Sequence, residues 1–147
     1  MAITAFWYTP GLSSGFGASP INWTADTIKV ALATSAYTPN QDTHQFFSTP
    51  AANETTGTGY TAGGVTLTGK SVGSIIATHT VPLLAAPSTW TAASFTARYA
   101  IVYKSTGTNA TSPLLGYTDF GSDEVVASGN FTITWDNTQG VLKLTAN

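Results

Sequence analysis

The chain has 147 residues, the length of one average domain, and only 8 % of them are charged, five Lys/Arg against seven Asp/Glu. A soluble domain ordinarily carries about 25 % charged residues, and a net charge of −2 offers no basic footprint for nucleic acid or for an anionic membrane surface. Hydrophobic residues make up 42 %, enough for a core and too many for wholesale disorder, and the absence of cysteine excludes disulfides, thiol catalysis and thiolate metal sites together.

In chain order, Met1 to Ile21 combines the aromatic run Phe6-Trp7-Tyr8 with Pro10, Gly11, Gly15, Gly17 and Pro20. That mixture predicts an irregular amino-terminal arm, not a regular helix. It has no basic n-region followed by an apolar h-region, so no secretory signal is expected. No run reaches the roughly 18 apolar residues of a membrane span. Residues 22–147 are read as a single β domain. Thr27 to Leu32 alternates, with Ile28, Val30 and Leu32 on one face. Tyr37 to Gly59 breaks the rhythm as a long loop containing Pro39, Pro50 and Phe46-Phe47. A loop of that length inside a compact domain is usually functional or disordered.

Gly64 to Val72 and Ser74 to Val81 read as weaker strands. Ser94 to Lys104 is the clearest strand. Strict alternation places Phe95, Ala97, Tyr99, Ile101 and Tyr103 on one face, and Thr96, Arg98, Ala100, Val102 and Lys104 on the other. Leu114 to Phe120 follows as a weaker strand. Phe131, Ile133 and Trp135 face inward from a strand whose Thr132 and Thr134 face out. The interval Asp136 to Gly140 reads as a hairpin turn, which would make Val141 to Thr145 the antiparallel neighbour of that strand. About seven or eight short strands, with 27 threonines available to solvate the outer faces, predict an all-β fold. The expected form is a single antiparallel β-sandwich or jelly-roll-like domain.

The chemistry-bearing residues form no recognisable constellation. His44 and His79 are the only histidines, and no Gly-X-Ser-X-Gly elbow accompanies them. The ordinary reading is a loop His44 and a strand-surface His79. Asp119, Asp123 and Glu124 lie close together in a predicted Gly/Ser-containing loop whose oxygens could hold Ca²⁺. A solvated turn is the simpler reading, and no EF-hand, P-loop or dinucleotide fingerprint is present. Nothing selects a carboxylate pair of the kind a glycosidase needs. Arg98 and Lys104 share a predicted strand face, which reads as a partly exposed sheet surface. The four Asn-X-Thr sequons, at Asn22, Asn53, Asn109 and Asn130, are what chance supplies in so threonine-rich a chain. No enzyme activity, metal or cofactor is predicted.

Three adjacent large rings cannot all enter one small core. Phe6, Trp7 and Tyr8, with Phe46 and Phe47 of the long loop, are therefore candidate partner-interface residues; folding back over an open sheet end is the alternative. A chain poor in Lys and Glu resembles a surface covered in assembly.

Four blocks extend this reading. Asn22-Trp23-Thr24-Ala25-Asp26-Thr27-Ile28-Lys29-Val30-Ala31-Leu32 runs on to His44. Glu54 to Lys70 contains Gly57-Thr58-Gly59-Tyr60-Thr61-Ala62-Gly63-Gly64-Val65. Thr96 to Lys104 precedes Ser112-Pro113-Leu114-Leu115-Gly116-Tyr117, and Phe131 to Asp136 closes the series. In order and spacing these blocks resemble a family of small tailed-bacteriophage virion structural proteins. The amino terminus, with Phe6-Trp7-Tyr8, departs from that pattern. The resemblance implies a capsid decoration (cement) protein, made in the host cytoplasm and located on the capsid exterior of the virion. Its partner would be the major capsid protein, with self-association, a homotrimer suiting three-fold lattice sites. No nucleic acid or membrane is expected as a partner. The other readings are a tail, head–tail joining or fibre component, and a carbohydrate-binding adhesin using Trp7, Trp23, Trp90 or Trp135.

Overall fold

The computed structural model describes residues 4–18 and 20–146. The fold is all-β: two antiparallel sheets of five and three strands pack as a sandwich. The strands are β1 (Thr4–Trp7), β2 (Ile28–Ala33), β3 (Val65–Thr66), β4 (Ser71–Val72), β5 (Thr80–Leu84), β6 (Ser88–Lys104), β7 (Leu114–Ile133) and β8 (Leu142–Thr145). Two short helices join them, α1 (Thr9–Gly15) and α2 (Ser48–Ala51). The large sheet runs β1-β7-β6-β2-β3 and the small one β4-β5-β8. The hairpin of β6 and β7 is its spine, with β2 on one flank and β1 on the other.

Over β2, the carboxy-terminal half of β6 and the first part of β7, the large sheet is buried on both faces. Ile28, Val30 and Leu32 of β2 point toward the small sheet, where they meet Leu67, Val141 and Leu142. On the opposite face Ala31, Ala33, Ile101, Tyr103, Leu114 and Tyr117 are roofed by Tyr8, Tyr37 and Phe47. Phe47 stacks on Tyr103 with ring centres 4.0 Å apart and planes 5° from parallel. The long loop predicted over Tyr37 to Gly59 is thus the third layer of the molecule. Farther along, Thr55 donates from Oγ1 to the Thr96 carbonyl, and Ser94 N–H donates to the Thr58 carbonyl, so this segment also closes one edge of β6.

Several expectations are corrected by this arrangement. The amino-terminal stretch is regular where described: β1 pairs with Gly116–Asp119 of β7, and α1 follows. Pro10 is tolerated because it lies in the first helical turn, where its missing N–H has no intrahelical acceptor anyway. Gly11 is required there, since a Cβ would stand 1.9 Å from the Leu114 carbonyl oxygen. Met1 to Ile3 and Ser19 of the predicted arm lie outside the described residues.

Strict alternation along β6 also fails. Ala97 pairs with Glu124 but Tyr99 with Asp119, so a bulge at Arg98 flips the faces. Phe95 and Ala97, then Ala100 and Val102, face the small sheet, whereas Tyr99, Ile101 and Tyr103 face the roof. Gly64 to Val72 is two strands in different sheets, separated by Gly69 at φ +58°. Ser74 to Val81 is mostly a 3₁₀ turn leading into β5, with His79 at φ +52° at its end. Asp136 and Gly140 do close a turn, but β8 pairs with β5 instead of β7. The chain crosses there from one sheet to the other.

Candidate interaction surfaces

The predicted aromatic anchors divide. Tyr8 is wholly buried and Phe47 is 1 % exposed; both are core side chains with no surface to offer a partner. Each follows a less buried neighbour, because alternate strand positions, and successive positions entering α2, point to different sides. Phe6 is half-buried and stacks on Tyr117 at 5.1 Å. Phe46 is half-buried beside Pro113, to which it is bridged. Trp7 is also half-buried, and its indole N–H donates to the Lys143 carbonyl at 2.7 Å, joining the two sheets.

Trp7 is the one predicted anchor that lines the apolar groove beside α1. This groove, about 840 Å³, lies between α1, residues 20–26, β4 and β8. Its walls include Leu12, Ile21, Trp23, Leu83 and Leu144. The Trp23 N–H is consumed by the Leu84 carbonyl at 2.9 Å and that of Trp7 by the Lys143 carbonyl, so half-buried Trp7 offers the groove apolar ring surface and buried Trp23 backs its wall. Phe16 stands on its lip with 81 % exposure, and Val72 is 53 % exposed nearby. At the polar end Lys104 pairs with Asp26 at 2.9 Å, and Lys70 donates to the Asp26 carbonyl. Burial alone would raise the Asp26 pKa, but Lys104, the Asn22 N–H and Lys70 together hold it below the usual value. The charges at this end are mutually satisfied. Residue reading alone missed Phe16; the signal was a large ring set between Gly15 and Gly17 where α1 stops.

The titratable residues are spent on structure. Tyr8, Tyr37 and His44 form a hydroxyl–hydroxyl–imidazole chain, with both links 2.8 Å long. The Asn40 N–H also donates to His44 Nδ1, which makes that nitrogen an acceptor and runs the relay from Tyr8 to His44. Burial raises the Tyr8 pKa, pushes that of Tyr37 up to about 12, and lowers that of His44. The Glu54 carboxylate accepts from the Tyr60 hydroxyl and the Gly63 N–H, both at 2.6 Å, pinning the glycine-rich segment to β2. Asp119 accepts from Arg98 at 2.7 Å and from the Gly121 N–H, which keep its pKa low. These two residues brace the bulge, so Arg98 and Lys104 do not form a joint surface. Asp119, Asp123 and Glu124 all lie within β7, not in a loop. Among the described residues no three His, Asp or Glu side chains converge as metal ligands.

No protein-family model, curated protein or solved structure matches the chain. What is defined is an all-β, sandwich-like domain whose most exposed large apolar side chains include Phe16 and Ile76. Among the described residues no helix is long and apolar enough to cross a membrane.

Proposed function

We propose that the chain is a tailed-bacteriophage virion structural protein, a capsid decoration protein that binds the outside of the assembled major capsid lattice and stabilises it. The observation that carries this reading is Phe16, 81 % exposed beside a groove of about 840 Å³ on a chain with few charges. An apolar knob beside an apolar recess is suited to an apolar side chain of another protein. The sequence blocks that resemble small virion proteins support the same class. A sheet supported on both faces makes a stiff clamp, and Trp23, Trp90 and Trp135 are buried, which leaves them unsuited to stacking on a sugar.

The physics is linkage. A protein that binds the assembled lattice and not its free subunits stabilises the lattice by mass action. Each docked copy adds the burial of Phe16, worth about 1.5–3 kcal/mol, and repeated sites multiply that modest gain. The test is co-sedimentation of the purified chain with particles that lack it. Wild type is expected to bind. Phe16→Asp, at a position too exposed to disturb the fold, should bind at least about tenfold more weakly. Failure of wild type to bind would refute the lattice reading, and equal binding by Phe16→Asp would refute the groove as its docking face.

A further inference from the structure

The edge of β7 from Val125 to Ile133 is a surface feature separate from the groove. Among the described residues β1 pairs with β7 from Gly116 to Asp119. β7 continues to Ile133, and from Val125 onward no strand among the described residues lies on that side. From Val125 to Ile133 this edge spans about 30 Å at the usual rise per residue. Such an edge presents alternate N–H and C=O groups that only water satisfies, and folded proteins normally guard it with lysine, proline or a bulge.

The guards are sparse here. Val125 to Thr134 contains no charged residue and no proline. Ser128, at φ +52°, makes a bulge. Beyond it Asn130–Ile133 runs on regularly, as long as β1 or β8, each of which holds its place in a sheet with four residues. The other flank of the sheet is short or closed: β3 has two residues, and residues 54–58 cover β6. Thr132 is exposed, and its hydroxyl lies 3.0 Å from that of Thr89 on the adjacent strand.

We infer that this edge pairs with the same edge of a second copy, antiparallel about a two-fold axis within Asn130–Ile133. An antiparallel strand edge is self-complementary in its backbone hydrogen bonds. At a two-fold axis each side chain near the axis meets its own kind, so a charged edge would repel itself and an uncharged one does not. A partner recognised by charge would find nothing here to read. The contact would join the two five-stranded sheets into one.

Sedimentation analysis of the full chain over a wide concentration range tests this. Wild type is expected to pass from one chain to two. Thr132→Lys should weaken the dimer about tenfold or more, a penalty of about 1.4 kcal/mol. Thr89→Lys, on the same face but one strand in from the edge, and Phe16→Lys at the groove should both leave it intact. Hydrogen exchange of wild type supplies a readout that no variant can spoil: the amides of Asn130–Ile133 that point away from β6 should become protected as the dimer forms. A single chain at every concentration overturns the inference. So does a trimer, a dimer insensitive to Thr132→Lys, one lost equally with Thr89→Lys, or one whose edge amides stay unprotected. The inference does not rest on the lattice reading: a dimer that binds no particle leaves it standing, and a monomer that binds particles overturns it.

Discussion

Tyr37 receives the Tyr8 hydroxyl and passes its own proton toward His44, and Tyr8 is completely buried. Tyr37→Phe leaves that hydroxyl without a partner, so chemical denaturation should show a loss of about 1–3 kcal/mol. The relay also carries a pH dependence. Burial holds the folded His44 pKa below 6.5, so the unfolded chain takes up its proton first as pH falls. The stability this acceptor confers is complete above the unfolded pKa and is lost progressively below about pH 6.5. Melting temperature should therefore fall on acidification within the range where carboxylates stay ionised. His44→Gln, which keeps an acceptor but cannot titrate, should fall less; parallel curves would contradict the relay. Two glycines give a second comparison. Gly64 has φ +70° and a Cβ there would stand 2.0 Å from the Val30 carbonyl oxygen, whereas Gly107 has φ +88° and open space. Gly107→Ala should cost only backbone strain, about 1–2 kcal/mol, and Gly64→Ala clearly more, as thermal melts of the two variants would show.

At the scale of the element, the bulge at Arg98 decides what β6 buries. Ala100 is fully buried toward the small sheet, although strict alternation would put it on a face with Arg98 and Lys104. Ala100→Leu should therefore overpack the core and cost about 1–3 kcal/mol in denaturation; a neutral result would restore the unbroken alternation. The same bulge explains why part of the fold was legible and part was not. β2 needed only its own pattern, and Ile28, Val30 and Leu32 face inward as alternation requires. The inward set Phe131, Ile133 and Trp135 was legible for the same reason. A bulge is invisible to period-two counting, because the extra residues sit on the partner strand. The Asp136–Gly140 turn was legible as a turn, but a turn fixes chain reversal and not the strand that the returning segment joins. Pro10 suggested irregularity because its position relative to the start of α1 was unknown, and the reason for Gly11 lies on β7. Trp7 could be picked out as a groove residue only as one of a run of three rings; strand alternation and the start of a helix then sorted their burial.

Across the whole molecule, the large sheet is braced by the small sheet on one face and by the Tyr37–Phe47 layer on the other. Outward features among the described residues include the groove with Phe16, the edge of β7 from Val125 to Ile133, and the exposed Thr89, Thr91 and Thr132 at the end of the hairpin. In the proposed role the first would dock on the lattice and the second would pair with another copy, and neither needs a charged contact. If the charge-poor surface is covered in the proposed assembly, the free protein should lose solubility as salt is raised while particle-bound protein does not, a comparison that turbidity would make. The proposed role is tested most directly by a density map of intact tailed-bacteriophage particles assembled in the presence of the chain. Ordered copies are expected on the outer surface of the shell, with Phe16 and the groove against capsid subunits. Particles carrying no copy of the chain, or copies confined to the tail, would contradict that role.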